Sequence, residues 1–278
     1  MIKKFKSIIN TTFKRLRFNL SANNSALFLG YYKYLYKPEK NSLHEFLNEY
    51  SLSLAGKLTV IQIGANDGIT HDPIHKFIKR DAWKGVLLEP QSYVYENFLK
   101  KIYAKNPGIH ALCAAIGPED GTQKLYKIGF SNMRWATGLA SFQKENVEKA
   151  FSSGVVKKQC ERYQIKLPES NELITSEDVM MISPETLVKR FGISSIDLLQ
   201  IDAEGYDYEV VKIFKIAHFK PKAIIFEHTH LSETDKTSCL NHLTTHNYEV
   251  AGFGPNTLAM LNPPDHLKRF FQPVDIKP

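Results

Sequence analysis

Two groups of residues in this chain have the types and spacing to do chemistry. The first is Gly64-Ala65-Asn66-Asp67-Gly68, with Glu89 following 25 residues after Gly64. The glycines permit a tight turn and close backbone approach, and a helix start after them offers free N–H groups. A carboxylate such as Glu89, placed at the end of the next strand, can accept hydrogen bonds from both hydroxyls of a ribose. The spacing is not the G-x-G-x-x-G of dinucleotide folds, because Ile69 stands at the third glycine position. A G-K-[ST] for nucleotide phosphates is also missing. The second group gathers acids and imidazoles: Asp202, Glu204 and Asp207, then Glu227, His228 and His230. Carboxylates and histidines converging on a pocket can take a proton from a hydroxyl. A carboxylate can also hold an ammonium, which leaves Asp202 two readings, base or amine contact. Glu204 can equally cap the helix that follows it, since acids favour a first helical turn. Asp202, Glu227 and His228 together would suit Mg²⁺ or Mn²⁺, although no H-x-H-type spacing compels a metal.

The elements that must hold these residues are legible from periodicity. Residues 58–63, 85–88, 110–116, 197–201 and 222–226 form short apolar runs rich in β-branched residues. Amphipathic helical patterns separate several of them. Alternating strands and helices imply parallel β-α-β units in a doubly wound α/β sheet, whose ligands bind at the carboxyl ends of the strands. Both chemical groups fall at such ends. Ser42, with Glu45 three residues on, reads as the cap of a helix over SLHEFLNEY. The tyrosines at 31, 32, 34 and 36 are expected to pack this early helical region. Residues 1–57 read as an N-terminal helical extension and 58–278 as the main domain, with 130–176 an insertion or lid.

The blocks VIQIGANDG, GVLLEP, ALCAAIG, DLLQIDAEGYDYEVV and IIFEH resemble the FkbM family of S-adenosylmethionine-dependent methyltransferases, over about residues 58–260. The D-x-E-G block is their most distinctive element. The resemblance implies a Rossmann-like, class I methyltransferase fold with the cofactor across the first three strand tips. By position, Gly64, Ala65, Asn66, Asp67 and Gly68 would flank its methionine part, with Asp202 near the amine. Glu89 would hold the ribose, and Gln91, Ala114 and Ala115 would lie near the adenine. The chain departs from the family where Gln200 replaces a frequent Lys and Ala203 a frequent Val. The expected reaction is methyl transfer to oxygen on a small molecule, a sugar or glycan precursor, with Asp202, His228 and Glu204 as catalytic candidates. The rivals are a dinucleotide-dependent oxidoreductase and a noncatalytic binding protein with a vestigial pocket.

Composition narrows the remaining classes. At 278 residues, 43% hydrophobic and 23% charged, the chain sits in the globular range. No apolar run reaches the roughly 18–20 residues of a membrane span. Cys113, Cys160 and Cys239 are too few and too scattered for a disulfide scaffold, which suits a reducing, cytoplasmic setting. The net charge of +7 is uneven: residues 1–20 hold six basic residues and no acid, leaving the rest at +1. Nucleic acid is therefore not an expected partner. Residues 1–20 also space Ile2, Phe5, Ile9, Phe13, Leu16 and Leu20 helically. This segment lacks the features of a secretory signal. It reads either as a helix lying on an anionic, inner membrane surface or as one packing its apolar stripe on the domain.

Overall fold

The computed structural model describes residues 2–169 and 173–271, with side chains from residue 12 onward. Residues 170–172 of the polar stretch in the insertion, and the side chains of Ile2, Phe5 and Ile9, lie outside the described residues. The strands in chain order are β1 (Thr59–Ile63), β2 (Lys84–Leu88), β3 (Ile109–Leu112), β4 (Ala115–Ile116), β5 (Gly121–Ile128), β6 (Ile174–Ile182), β7 (Leu198–Ile201), β8 (Ala223–Glu227), β9 (Tyr248–Phe253) and β10 (Asn256–Leu261). Seven of them form one sheet in the order β3-β2-β1-β7-β8-β10-β9. β3, β2, β1, β7 and β8 run parallel, and β10 is antiparallel to both β8 and β9.

Continuous apolar runs suit the centre of such a sheet because both of its faces are covered. Alternate residues of β1 and β2 point to opposite sides. Val60 and Leu87 join a cluster with Phe46, Phe77 and Trp83, while Ile61 and Val86 join Leu199, Val211 and Ile224. Phe46, Leu47 and Tyr50 come from the helix Leu43–Ser53. That helix is thus one layer of the sandwich, sharing the core with the strands. It begins at Ser42, whose hydroxyl accepts the Glu45 N–H at 3.2 Å. The Glu45 carboxylate reaches back to the Asn41 N–H at 2.7 Å, so the expected cap forms with its acid one residue displaced.

The run 110–116, expected as one strand, is divided between two sheets. β3 ends at Leu112, and β4 leaves to pair with β6 in a three-stranded sheet ordered β4-β6-β5. An apolar run reports burial but not which sheet takes its hydrogen bonds. Between β5 and β6 the chain builds a small separate core. Val147, Val156 and Cys160 come from the helices Lys144–Ser152 and Val155–Tyr163, and Trp135 packs against them. All three cysteines are free thiols.

Candidate active site

The tips of β1 and β2 are tied together by backbone. The N–H groups of Gly64 and Ala65 both donate to the Leu88 carbonyl, at 3.0 and 2.8 Å. Gly64 has φ +77°, and a Cβ there would lie 1.8 Å from the Asp202 carbonyl oxygen. Glycine is required because the tips of β1 and β7 touch at this point. The Glu89 carboxylate is buried beneath the turn. One oxygen accepts the Asn66 N–H and the other the Gln91 N–H, each at 2.9 Å. Burial pushes this carboxyl up to about 7, against the lowering effect of those two bonds. Asp67 closes the turn by accepting the N–H groups of Ile69 and Thr70 at 3.0 and 2.7 Å.

The D-A-E-G turn after β7 is shaped by a residue further along. Asp207 is fully buried, and its carboxylate accepts N–H groups from Ala203, Gly205 and Glu227, all at 3.3 Å. It therefore fixes the turn against the end of β8. Glu204 sits at φ +50°, an uncommon conformation for a residue with a side chain. Asp202 lies between the two tips, and its Oδ1 is buried with no hydrogen-bond partner. Burial, helped by the charges of Glu204, Asp207 and Glu227, pushes the Asp202 carboxyl up to about 8. Burial also raises Glu204. A carboxylate in this state lacks a cation.

The cation closest to filling that role is Arg134, which the sequence reading did not single out. It belongs to the short helix Arg134–Thr137 in the insertion. Its Nη1 stands 3.8 Å from Asp67 Oδ1 and is buried without a hydrogen bond. Its charge lowers the carboxyls of Glu89, Asp202 and Glu204. The same turn is tied down by the Gln91 side chain, which donates to the Thr137 carbonyl at 3.0 Å. A polar, loop-like stretch with no periodic pattern carried no signal for this arginine.

The remaining expected residues are distributed as follows. Gln91, Ala114 and Ala115 are buried. Ala114 joins the apolar cluster beneath the sheet, and Ala115 packs with Leu125 and Val179. Gln200 faces Gln62 across the β1–β7 ladder, and the Oε1 atoms of both are buried without a partner. His228 turns its Nδ1 to the Thr257 hydroxyl at 2.9 Å. His230 stands at the acidic rim, its Nε2 3.6 Å from Glu204 and 3.8 Å from Glu227. Among the described residues, no group of three or more His, Cys, Asp or Glu is gathered as a metal site requires. The considered Mg²⁺ or Mn²⁺ site of Asp202, Glu227 and His228 is therefore not supported.

A cavity of about 620 Å³ opens between the residues that follow the glycine turn and the β9–β10 hairpin. Its walls include Arg17, His44, Ile69, Lys76, Gly254 and Asn256. Ile69 follows the glycine turn directly, and Asn256 is the ladder partner of Glu227.

The strand order, with one antiparallel strand inserted between β8 and β9, defines a class I methyltransferase-type fold. Residues 62–253 match the Methyltransferase FkbM domain, and the chain belongs to this family. Its fold is similar to that of the methyltransferase FkbM from Methylobacillus flagellatus KT. The two are 12% identical with a TM-score of 0.45, covering 74% of this chain and 44% of that one. The chain thus spans less than half of that relative. It is also similar to precorrin-6y C5,15-methyltransferase from Geobacter metallireducens GS-15 (12% identity, TM-score 0.35, 77% of this chain and 87% of that one). A further similarity is to the human methyltransferase 10 domain containing protein (10% identity, TM-score 0.37, 81% and 85%). No curated relative matches the sequence significantly.

Proposed function

We propose that this chain is an S-adenosylmethionine-dependent O-methyltransferase acting on a sugar or glycan precursor in the cytoplasm. The observation that carries the reading is the partnerless Asp202 Oδ1, buried between the glycine turn and the D-A-E-G turn. A carboxyl held up to about 8 by burial and like charge is suited to an ammonium, which the methionine part of the cofactor bears. Bound there, the cofactor supplies an electrophilic methyl carbon. The protein positions the acceptor and removes its proton. With that methyl carbon supplied, the hydroxyl proton of the acceptor would pass to a base of this chain.

The acceptor is assigned to the rim where Glu204, Glu227 and His230 face one another, beside the end of β7 that carries Asp202. His230 is taken as the base because its Nε2 stands beside Glu204 and Glu227; His228, oriented through Nδ1 by Thr257 with its Nε2 free among the described residues, is the alternative. Glu89 retains a free lone pair on each oxygen for ribose hydroxyls. The Arg134–Thr137 turn must give way for them to reach it. The oxidoreductase alternative has no third glycine to support it.

Thermal unfolding with S-adenosylmethionine, S-adenosylhomocysteine and NAD⁺ tests cofactor choice. A ligand at about 100 times its dissociation constant adds about 2.7 kcal/mol of stability. Stabilisation by the two sulfur compounds alone is expected, and stabilisation by NAD⁺ alone overturns the reading. With a methyl-labelled cofactor, label is expected in glycan precursors. Label found only in protein or nucleic acid refutes the acceptor class.

A further inference from the structure

Away from the site, the first 38 residues form a surface of unusual composition. They carry eight basic residues, and the first acid in the chain is Glu39. Two adjacent helical segments span most of this stretch: Ile2–Ala22, and Ala26–Gly30 continuing into Tyr31–Leu35. Their inner side is anchored. Phe18 packs edge-on against Phe98, Ser21 bonds to His75 at 3.0 Å, and Phe28 is buried. The Lys79 ammonium ties the Ser21 carbonyl and Asn24 to Ile102 and Asn106. The outer side is apolar and open. Phe13 and Leu16 are exposed by 61% and 54%, and Leu27, Tyr34 and Leu35 by 82%, 74% and 70%. Tyr31 is exposed as well, so two of the four tyrosines expected to pack inward face outward. Leu27, Tyr31, Tyr34 and Leu35 recur at helical spacing and share one side. Lys14, Arg15 and Lys33 are exposed among them.

An apolar ridge fringed only by cations is complementary to the interface of an anionic bilayer, where ring and aliphatic groups enter the headgroup layer and lysines meet phosphates. We infer that Phe13, Leu16, Leu27, Tyr31, Tyr34 and Leu35, with Lys14, Arg15 and Lys33, form a docking face for an anionic membrane surface. Among the described residues no helix is long and apolar enough to cross a membrane. The domain takes Phe18, Ser21 and Ala22 from the first helix and leaves Phe13 and Leu16 unused. This contradicts the packing of the stripe against the domain at those two positions.

The test is co-sedimentation of the full chain with vesicles of phosphatidylcholine alone and of phosphatidylcholine mixed with phosphatidylglycerol. Binding is expected only to the mixed vesicles, declining with added salt. Lys14→Gln/Arg15→Gln/Lys33→Gln should weaken partitioning by about 100-fold. Leu27→Asp/Leu35→Asp should also release the protein. Both variants change exposed side chains, and unchanged circular dichroism and thermal unfolding would verify that they fold. Equal binding to both vesicle types, no binding, or binding indifferent to both variants overturns the proposal. So does self-association in sedimentation velocity that Leu27→Asp/Leu35→Asp abolishes, which would make the face a subunit interface.

Discussion

Replacing Asp202 by Asn gives a test of the site that does not depend on knowing the acceptor. In the folded chain this carboxyl titrates near 8, pushed up by burial and by Glu204, Asp207 and Glu227, against a usual value of 3.8. The folded state therefore holds a proton that the unfolded chain releases between those values. The stability associated with that proton is complete below about 3.8 and is lost as pH rises through about 8. At about 1.4 kcal/mol per pKa unit, the full difference would reach roughly 6 kcal/mol. Water penetration and relaxation bring the expectation to ~3 kcal/mol. Asn keeps the shape and never ionises. The unliganded variant should therefore equal wild type near pH 4 and exceed it at pH 8.5 by about 6–12 °C in Tm, at 2–4 °C per kcal/mol. Adding S-adenosylhomocysteine, which carries the same ammonium, should reverse the order at pH 8.5, because only wild type offers it a carboxylate. The assay is differential scanning fluorimetry from pH 4 to 9 with and without the ligand. A variant no more stable than wild type at pH 8.5 would refute the claim that Asp202 lacks a cation. A ligand response identical in both proteins would remove Asp202 from the binding site.

Gly64→Ala should cost roughly 3 kcal/mol or more and lower Tm by about 6–12 °C, since its Cβ would lie 1.8 Å from the Asp202 carbonyl oxygen. A near-normal Tm would show that the β1 and β7 tips do not meet. The two histidines should separate kinetically. His230→Gln is expected to lower kcat by about 100-fold, the lower end for loss of a general base, and His228→Gln by less than about tenfold. The opposite order in a methyl-transfer assay would return the base to His228.

Much of the sheet was legible because buried parallel strands leave an unmistakable trace. Val60 to Ile63, Val86 to Leu88 and Leu198 to Ile201 are unbroken apolar stretches apart from Gln62 and Gln200, each ending on a turn or an acid. The glycine turn was legible for a local reason, since Gly64 and Gly68 both adopt positive φ. The division of 110–116 between two sheets was not legible, because the partner of β4 is β6, which lies beyond the insertion. The outward tyrosines misled for a related reason. Aromatic residues in a helical stretch usually mark a buried stripe, and only the fold decides which side has a neighbour.

The site itself shows where local reading stops. Glu89 and Asp202 were singled out because strand ends are marked in sequence, but their electrostatics come from other segments. Arg134 is 45 residues beyond Glu89 and 68 before Asp202, yet its charge bears on both. Asp207 looks like an ordinary acid in a first helical turn, while its buried carboxylate holds the D-A-E-G turn and the end of β8 together. That role also explains the spacing of the block. Asp202 and Glu204 hold their places in the bend because Asp207 satisfies the backbone N–H groups that the bend exposes. Replacing Asp207 by Ala would leave those three N–H groups without an acceptor, so the geometry that leaves Asp202 Oδ1 buried without a partner depends on a second acid five residues on.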